Sequence, residues 1–493
     1  MMRKFFLLTA GVLLLFLSLN AAAGEAAYTC GDYEYALAAD GSAVITKYTD
    51  HSFRYGIELS IPSQLDGYPV RAVGEGAFMY CENLAGVTVP SGVTSVGAWA
   101  FDGCMNLARI SLPETLTAIG DGAFYDCSLL DSFTVPDSVT EVGENPWSGC
   151  SNLGNITVSG THPALETDDG LLYSRVDRSL LWCPMNREGA ITVKQGTRII
   201  GGSAFRVCSA VTEVILPEGV RAIEENAFGA CYALTDINFP EGLLFVGESA
   251  FNTCMCLAEA DLPDTVTYIG DAAFSWCDGL AALHIPSGLT AIGDNTFSDC
   301  CSLTRAIIPE GVTSIGEGAF LDCMNLKEVS IPYSVTSIGS SAFSMCFALT
   351  EVVLPEGLTA VKSHTFGYCT ALESVTVPRS VKSIGNYAFN MCENLKNVDY
   401  LGTEDEWKAV SVGEYNTFLT DASFHYRSAP MIVLPASLTV IGEEAFAGFP
   451  AGAVVFVPGS VVFIDDTAFS PGTVITAPEG SYAAQWAAEH GFD

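Results

Sequence analysis

The amino-acid sequence predicts a repeat solenoid, in which short similar units stack and bury their apolar sides against one another. One 23-residue unit, IPEGVTSIGEGAFLDCMNLKEVS at residues 308–330, is restated along most of the chain. Its proline recurs every 23 residues from Pro217 to Pro378, and earlier from Pro90 to Pro136. Because a unit this short cannot bury its apolar face alone, we expect each copy to be stable only against its neighbours.

Each unit begins with a predicted β-strand. Around the reference unit, Val329 and Ile331 alternate with Glu328 and Ser330, so the two apolar side chains share one face and the polar ones the other. Pro332 then ends the strand, where a missing N–H group is tolerated. The outward positions of these strands are therefore free to vary without harm to the core.

The rest of each unit returns the chain to the next strand. Val335 and Ile338 follow at a spacing of three, and Gly339 permits a turn. Ala342 and Phe343 then open what we predict to be a short helical turn. The repeat's aromatic residues number fifteen, in runs of four, nine and two, which predicts about fifteen turns.

Two insertions interrupt the array, because the interval between aromatics lengthens to 58 residues after Trp147 and to 57 after Phe389. The first contains apolar stretches at 171–174 and 179–182 around a polar turn, which predicts a hairpin projecting from the array. In the second, Thr403 and Glu406 predict a capping box for a short helix carrying Trp407. At the C-terminus we expect a helix with Ser481 as its N-cap and Gly491 near its C-cap.

These boundaries divide the chain into eight predicted segments. They are a signal peptide at 1–23, an N-terminal cap at 24–70, a first repeat block at 71–158, a hairpin insertion at 159–200, a second repeat block at 201–400, an insertion at 401–428, degenerate terminal repeats at 429–478 and a C-terminal capping helix at 479–493. The cap is needed because the first turn of a solenoid has no neighbour on one side.

The N-terminus predicts export. Arg3 and Lys4 precede an apolar run from residue 5 to residue 19 and three alanines, which is the layout of a secretory signal peptide. We expect the mature chain to begin near Gly24. The apolar run is shorter than the ~20 residues that a spanning helix needs, and none comparable follows, so we expect no transmembrane segment after cleavage.

The charge of the chain excludes one class of partner. It has 21 Lys and Arg against 57 Asp and Glu, a formal net charge of −36. Such an acidic surface repels phosphate backbones and anionic lipid heads, so we expect no nucleic-acid partner. The acidic surplus by itself indicates only solubility.

Most of the 17 cysteines occupy one column of the repeat, three residues after the aromatic. We expect these thiols to be reduced and buried, since free cysteine packs like a small hydrophobe. The column consists of Cys81, Cys104, Cys127, Cys150, Cys208, Cys231, Cys254, Cys277, Cys300, Cys323, Cys346, Cys369 and Cys392. Of the four outside it, Cys256 and Cys301 are the candidates for reactivity.

The unit resembles the BspA-like leucine-rich repeat, whose order of Leu, Val, Ile-Pro, Val, Ile-Gly, Ala-Phe and Cys is met across most of the chain. The resemblance implies a right-handed leucine-rich-repeat coil with a parallel β-sheet and short helical turns. It also implies an exported or cell-surface protein, and some members of the family are adhesins that bind host or partner-cell proteins. The repeat carries no shared catalytic residue, so we expect no enzyme activity and no cofactor.

The outward strand positions are the predicted ligand-binding residues, because a rigid solenoid displays them in columns. One column is Arg109, Ser132, Asn155, Glu213, Asp236, Glu259, Arg305, Glu328 and Glu351. The second is Ser111, Thr134, Thr157, Asn238, Asp261, His284, Ser330, Thr376 and Asp399. Trp182 and Trp407, on the two insertions, are predicted either to anchor a partner or to pack back onto the array.

Other chemistry is disfavoured. Glu213, Asp236 and Glu259 are expected in successive turns, where paired carboxylates suit a retaining glycosidase or a weak divalent-cation site. Catalysis would also need a concave cleft, which nothing in the sequence indicates. The sequence therefore predicts a monomeric, non-enzymatic protein whose partner is an extracellular or cell-surface protein or, alternatively, a glycan. The competing hypothesis is a structural spacer or surface-layer component.

Overall fold

A computed structural model describes residues 28–50, 56–426, 431–434, 438–447, 453–478 and 480–492. The chain divides into two compact units, residues 1–257 and 258–493. The predicted signal peptide at 1–23 and the predicted start of the mature chain near Gly24 lie outside the described residues. So does Phe449, which stands where other repeats have the column cysteine. Within the described residues no helix has the length and apolar character needed to cross a membrane.

Short strands dominate the first unit. In chain order they are β1 (Tyr28–Cys30), β2 (Tyr33–Leu37), β3 (Ala43–Tyr48), β4 (Ile57–Ser60), β5 (Gln64–Leu65), β6 (Tyr68–Val73), β7 (Leu84–Thr88), β8 (Ser95–Val96), β9 (Arg109–Ser111), β10 (Ala118–Ile119), β11 (Phe133–Thr134), β12 (Glu141–Val142), β13 (Ile156–Thr157), β14 (Leu165–Asp168), β15 (Leu171–Ser174), β16 (Ser179–Trp182), β17 (Glu188–Thr192), β18 (Ile199–Ile200), β19 (Ala210–Ile215), β20 (Ala222–Ile223), β21 (Asp236–Ile237) and β22 (Phe245–Val246).

The second unit continues the pattern and adds short helices. Its elements are β23 (Glu259–Asp261), β24 (Tyr268–Ile269), β25 (Ala282–His284), β26 (Ala291–Ile292), β27 (Arg305–Ile307), β28 (Ser314–Ile315), β29 (Glu328–Ser330), β30 (Ser337–Ile338), β31 (Glu351–Val353), β32 (Ala360–Val361), β33 (Ser374–Val377), β34 (Ser383–Ile384), β35 (Asn397–Tyr400), α1 (Glu404–Trp407), β36 (Ser411–Val412), α2 (Thr417–Thr420), β37 (Ser423–Tyr426), β38 (Met431–Val433), β39 (Val440–Ile441), β40 (Val454–Phe456), β41 (Phe463–Ile464), β42 (Val474–Thr476) and α3 (Tyr482–His490).

Each regular turn contributes two strands to two separate parallel ladders. In the first ladder β27 pairs with β29, which places Arg305 opposite Glu328, 23 residues later. In the second ladder β28 pairs with β30, with Ser314 opposite Ser337. The sequence predicted the first ladder and missed the second, because strands of two residues leave no alternating pattern to detect. About 18 turns are formed, more than the fifteen predicted, since the caps and insertions also contribute strands.

The segment that carries the repeat phenylalanine is a pair of tight turns rather than the predicted helical turn. The residues two before and two after the phenylalanine have positive φ, as at Ser341 (56°) and Met345 (60°) around Phe343. The backbone N–H of Phe320 donates to the carbonyl of Ala342 in the following turn, 2.8 Å away. Because such donors bond to the neighbouring turn, they are not available for the i→i−4 bonds of a helix.

The repeat glycine was expected to permit a turn, and in the structure it allows close stacking of successive turns. Gly339 does not lie among the residues with positive φ. A Cβ atom at this position would overlap backbone atoms of Gly316 and Glu317 in the preceding turn. Any side chain here would therefore push two turns apart.

Stacked phenylalanine rings form the centre of the repeat core in each compact unit. The rings of Phe320 and Phe343 are fully buried and nearly parallel, at 3° with centroids 5.4 Å apart, and Phe343 repeats this geometry with Phe366. At the N-terminal end Tyr48 of the cap continues the stack onto Phe78, at 5.3 Å. The cap therefore covers the first turn with an aromatic ring of its own.

The first insertion does not project from the array. Its strands β15 and β16 pair antiparallel over the predicted residues, but β16 also pairs in parallel with β18, placing Leu180 opposite Ile200.

Both predicted helix caps are confirmed: Thr403 and Glu406 form the capping box of α1, and Ser481 and Gly491 cap α3. The α3 side chain of Trp486 is buried with Phe469 in the C-terminal core.

Candidate functional site

The outward positions of the first ladder, here called the strand face, include Glu213 and Asp236. Their Cα atoms lie opposite each other in β19 and β21, with Glu213 half-buried and Asp236 exposed. Glu259 belongs to the second unit, where its register partner is Ala282. Across the described residues, no three His, Cys, Asp or Glu side chains are grouped so as to hold a metal ion.

Several strand-face residues are already engaged with their neighbours. Arg305 forms an ion pair with Glu328 at 3.2 Å, and both side chains are more than half exposed. Such an exposed pair contributes little free energy of folding. Glu351 is exposed, with Ser374 as its register partner. The second half of this column is therefore a solvated, mainly acidic surface in which Arg305 is the basic residue.

Two residues of the second predicted column, Asn238 and His284, are held by polar contacts with neighbouring residues. The amide of Asn238 accepts from the N–H of Leu216 at 2.6 Å and donates to its carbonyl at 2.9 Å, which extends the ladder. His284 lies 3.3 Å from Asp264, and Asp261 is its register partner. Hydrogen bonding, led by the N–H of Ser287, lowers the pKa of Asp264. Asp261 remains exposed.

The two insertion tryptophans are not exposed anchors. Trp182 is only 2% exposed, and its ring meets Trp147 edge-on at 6.4 Å, so of the two predicted alternatives it follows packing back onto the array. Trp407 is half-buried between Tyr400 and Phe424, at 5.1 and 4.7 Å. In both insertions burial of the large apolar ring outweighs its display.

The structure reveals a surface feature that the sequence reasoning missed. His364, Tyr387 and Tyr415 occupy equivalent turn positions, and we call this set the turn aromatic ladder. His364 stacks on Tyr387 with centroids 4.8 Å apart, and Tyr387 on Tyr415 at 4.3 Å, with interplanar angles of 5° and 8°. The available signal was an aromatic ring two residues before Phe366 and Phe389, where most other units have Gly, Ala, Ser or Asn.

The backbone of this ladder is unfavourable for its side chains. All three residues have positive φ, from 58° to 62°. Bulky residues rarely adopt this conformation, which the repeat requires at this position, since Asn295 and Ser341 share it. Burial, followed by a hydrogen bond with Tyr415, raises the pKa of Tyr387. Tyr415 is 56% exposed at the end of the stack.

The repeat unit also decides the family. The family model described as the BspA-type leucine-rich repeat region matches residues 68–168, 187–304, 290–411 and 417–477 in six copies. The chain belongs to the BspA-type leucine-rich repeat family. Solenoids of this family are generally non-enzymatic. No curated protein matches the chain significantly.

Solved structures of other leucine-rich repeat proteins are similar to this BspA-type chain. One is a leucine-rich cell surface protein from Faecalibacterium prausnitzii, with 27% identity, a TM-score of 0.46, and coverage of 79% of this chain and 98% of that one. A Bacteroides ovatus protein has 23% identity, a TM-score of 0.47 and coverage of 81% and 99%. A T. pallidum protein has 30% identity, a TM-score of 0.30 and coverage of 47% and 91%.

The cysteine of the BspA-type unit is buried and free in every column position of the chain. Burial raises the pKa of these thiols, to about 12 for Cys150 and Cys254. Of the two candidates for reactivity, Cys256 is exposed. Burial and then the nearby Asp278 raise the pKa of Cys301 to about 11, which disfavours its thiolate at neutral pH.

Proposed function

We propose that this chain is an exported or cell-surface, non-enzymatic protein that binds another protein in an adhesin-like manner. The observation that carries this proposal is the turn aromatic ladder. Tyrosine side chains supply large amphipathic contact area and are enriched among the residues that dominate binding energy. A solenoid holds them rigidly, so little conformational entropy is lost when a partner docks.

Among the described residues, the close stacking of turns stops at the end of the ladder. A Cβ atom on Gly413 would lie 2.7 Å from the N atom of Asn386, whereas one on Gly442, at the equivalent position of the following repeat, would meet no described atom within 4 Å. Among the described residues, β36 pairs with β34 and has no strand on its other side. The outer face of Tyr415 is therefore open to a partner.

The charge of the chain favours a particular kind of partner surface. Glu414 lies beside the ladder and contributes to the raised pKa of Tyr387. With a net charge of −36 on the chain, a basic protein surface is attracted and an acidic one repelled. Lysine or arginine side chains of such a partner would also gain from contact with the tyrosine rings.

The test measures binding of the purified chain from Gly24 onward to extracellular-matrix proteins and to surface extracts of neighbouring cells. The ladder variant is Tyr387→Asn with Tyr415→Asn, because Asn226 and Asn295 occupy the same turn position with positive φ. The matched control is Glu213→Gln with Asp236→Asn on the strand face. Both variants are checked for folding by circular dichroism.

We expect a saturable partner whose affinity falls at least about tenfold in the ladder variant and remains within about twofold in the control. Equal loss in both variants would indicate general electrostatic attraction and contradict the ladder as the site. If a folded chain binds nothing at micromolar concentration, the structural-spacer hypothesis is correct.

A further inference from the structure

A second candidate site lies in the first unit, where the first insertion meets the array. It is a concave pocket of about 360 Å³, within the size range of small-molecule sites. Its lining includes Glu166, Tyr173, Arg175, Arg178, Lys194 and Gln195. None of these residues belongs to the turn aromatic ladder, so the inference goes beyond the proposed function and does not rest on it.

The charge of this pocket is opposite to that of the protein. The chain has only 21 Lys and Arg against 57 Asp and Glu. Three of those basic residues, Arg175, Arg178 and Lys194, line the pocket together with one carboxylate, that of Glu166. In a chain with such an acidic balance, a basic concave surface attracts an anion that the remaining surface repels.

Two of the basic groups are held in place by the carboxylate between them. Glu166 accepts from Arg175 through one oxygen at 3.0 Å and from Lys194 through the other at 2.6 Å. Arg175 also donates through Nε to the carbonyl of Leu165 at 2.9 Å. These contacts show that the pocket already accommodates one carboxylate, and they fix the two cations before any ligand arrives.

Arg178 is the third basic residue of the pocket, and it does not share the ion pairs of Arg175 and Lys194 with Glu166. Its guanidinium has no hydrogen-bond or ion-pair partner among the residues that the structure describes, and the side chain is exposed. Its backbone has a φ of 63°, which is unfavourable for arginine, and its carbonyl accepts from Arg198 at 2.9 Å. A planar guanidinium in this position suits bidentate binding of a carboxylate.

Hydroxyl groups complete the lining. The buried Tyr173 accepts through its phenol oxygen from the N–H of Lys194 at 3.2 Å. Burial raises the pKa of Tyr173 to about 12, so at neutral pH the phenol keeps its proton and remains a donor. Ser174, Gln195 and Thr197 add polar groups to the wall. Donors and acceptors of this kind match the hydroxyls of a sugar ring.

We infer that this pocket binds the carboxylate-bearing unit of an acidic sugar, with Arg178 as its anion contact. The volume accommodates one or two such units. The carboxylate pairs with Arg178, while Lys194 and Arg175 supply the surrounding positive field. The hydroxyls of the sugar replace water at Tyr173 and Gln195.

The test is calorimetric titration of the purified full chain with sodium glucuronate at low ionic strength. Methyl glucoside provides a neutral sugar and sodium sulfate a free anion. Arg178→Gln removes the proposed contact. Arg198→Gln is the matched control, since this exposed arginine is nearby in the chain but does not line the pocket. Glu166→Gln leaves Arg175 and Lys194 without their carboxylate partner.

We expect glucuronate to bind, Arg178→Gln to weaken binding about tenfold or more and Arg198→Gln to change it less than twofold. Glu166→Gln should tighten binding, because two cations become available. Absence of glucuronate binding to the folded chain at 10 mM (about −2.7 kcal/mol) would overturn the inference. So would equal weakening by both arginine variants, or binding of sulfate or methyl glucoside as tight as that of glucuronate.

Discussion

The thiol of Cys104 donates a hydrogen bond to the carbonyl oxygen of Phe78 in the preceding turn, with 3.1 Å between Sγ and O. The same carbonyl accepts the backbone N–H of Cys81 at 3.2 Å. This arrangement recurs along the column, for example from Cys323 to Phe297 at 3.2 Å. The repeat cysteine is therefore a donor that joins successive turns as well as a small apolar group.

Replacing one column cysteine should destabilise the chain. We expect Cys323→Ala to lower the free energy of unfolding by about 1–2 kcal/mol, because it removes a thiol–carbonyl bond and leaves a small cavity in a fully buried site. Urea denaturation followed by circular dichroism measures the change. Cys256→Ala, at an exposed position, serves as the control and should shift stability by less than about 0.5 kcal/mol. Equal effects of the two substitutions would contradict a structural role for the column.

Thiol reactivity should separate the column from Cys256. At pH 8 we expect a disulfide reagent to react rapidly with Cys256 and not with Cys254, because Cys254 is buried and its pKa is raised to about 12. In denaturant all 17 thiols should react. The absorbance of the thiolate that the reagent releases gives the number of protein thiols that have reacted. The substitution Cys256→Ser should abolish the rapid phase. Fewer reactive thiols in denaturant would instead show disulfides.

Glu224 should make stability depend on pH. Burial, opposed by the N–H of Gly202 and reinforced by Glu144, raises its pKa from 4.5 to about 7. Since the folded chain binds this proton more tightly, the resulting stabilisation is complete below about pH 4.5 and is lost as the pH rises through 7. Glu224→Gln should therefore be more stable than the parent at pH 8, by about 3 kcal/mol, and equal to it at pH 4.

The measurement for Glu224 is the urea midpoint at several pH values between 4 and 8. Glu218→Gln, at an exposed position, should follow the parent at each pH. A constant difference between Glu224→Gln and the parent across this range would refute the titration and point to a packing effect.

Val207 should be replaceable with a gain in stability. Its φ is 63°, a conformation that a β-branched side chain disfavours, and Gly103 and Gly149 occupy the equivalent position in other turns. We expect Val207→Gly to raise the free energy of unfolding by about 1 kcal/mol, net of the entropy that glycine adds to the unfolded chain. Thermal unfolding measures it, with Val207→Ala as an intermediate control. A loss of stability in the glycine variant would mean that Val207 makes packing contacts worth more than the strain.

Much of the fold was predictable because the repeat interval sets the register. Residues 23 apart, such as Arg305 and Glu328, lie opposite each other in parallel strands. The cysteine column was predicted to be buried, and it is. The predicted helical turn around Phe343 is wrong, because the backbone donors of this segment bond to the next turn, and periodicity within one unit does not reveal bonds between units.

The candidate sites were less predictable. Asn238 was chosen for its polar, outward position, yet its amide completes the ladder at Leu216. The turn aromatic ladder was overlooked because Tyr387 lies in a segment assigned to the turn, and Tyr415 lies in an insertion whose register with the repeats the sequence does not display. The folded structure places the centroids of these two rings 4.3 Å apart.

By itself the sequence determined the solenoid, the stacking of equivalent residues and the apolar core, because a constant repeat length forces equivalent positions into contact. Tertiary structure alone decided which side chains are free. It buries Trp182 against Trp147 and occupies Glu166 with two cations, while the guanidinium of Arg178 has no partner in the described part of the chain. These outcomes depend on distances between elements that are not equivalent in the repeat, and such distances follow from packing rather than from spacing along the chain.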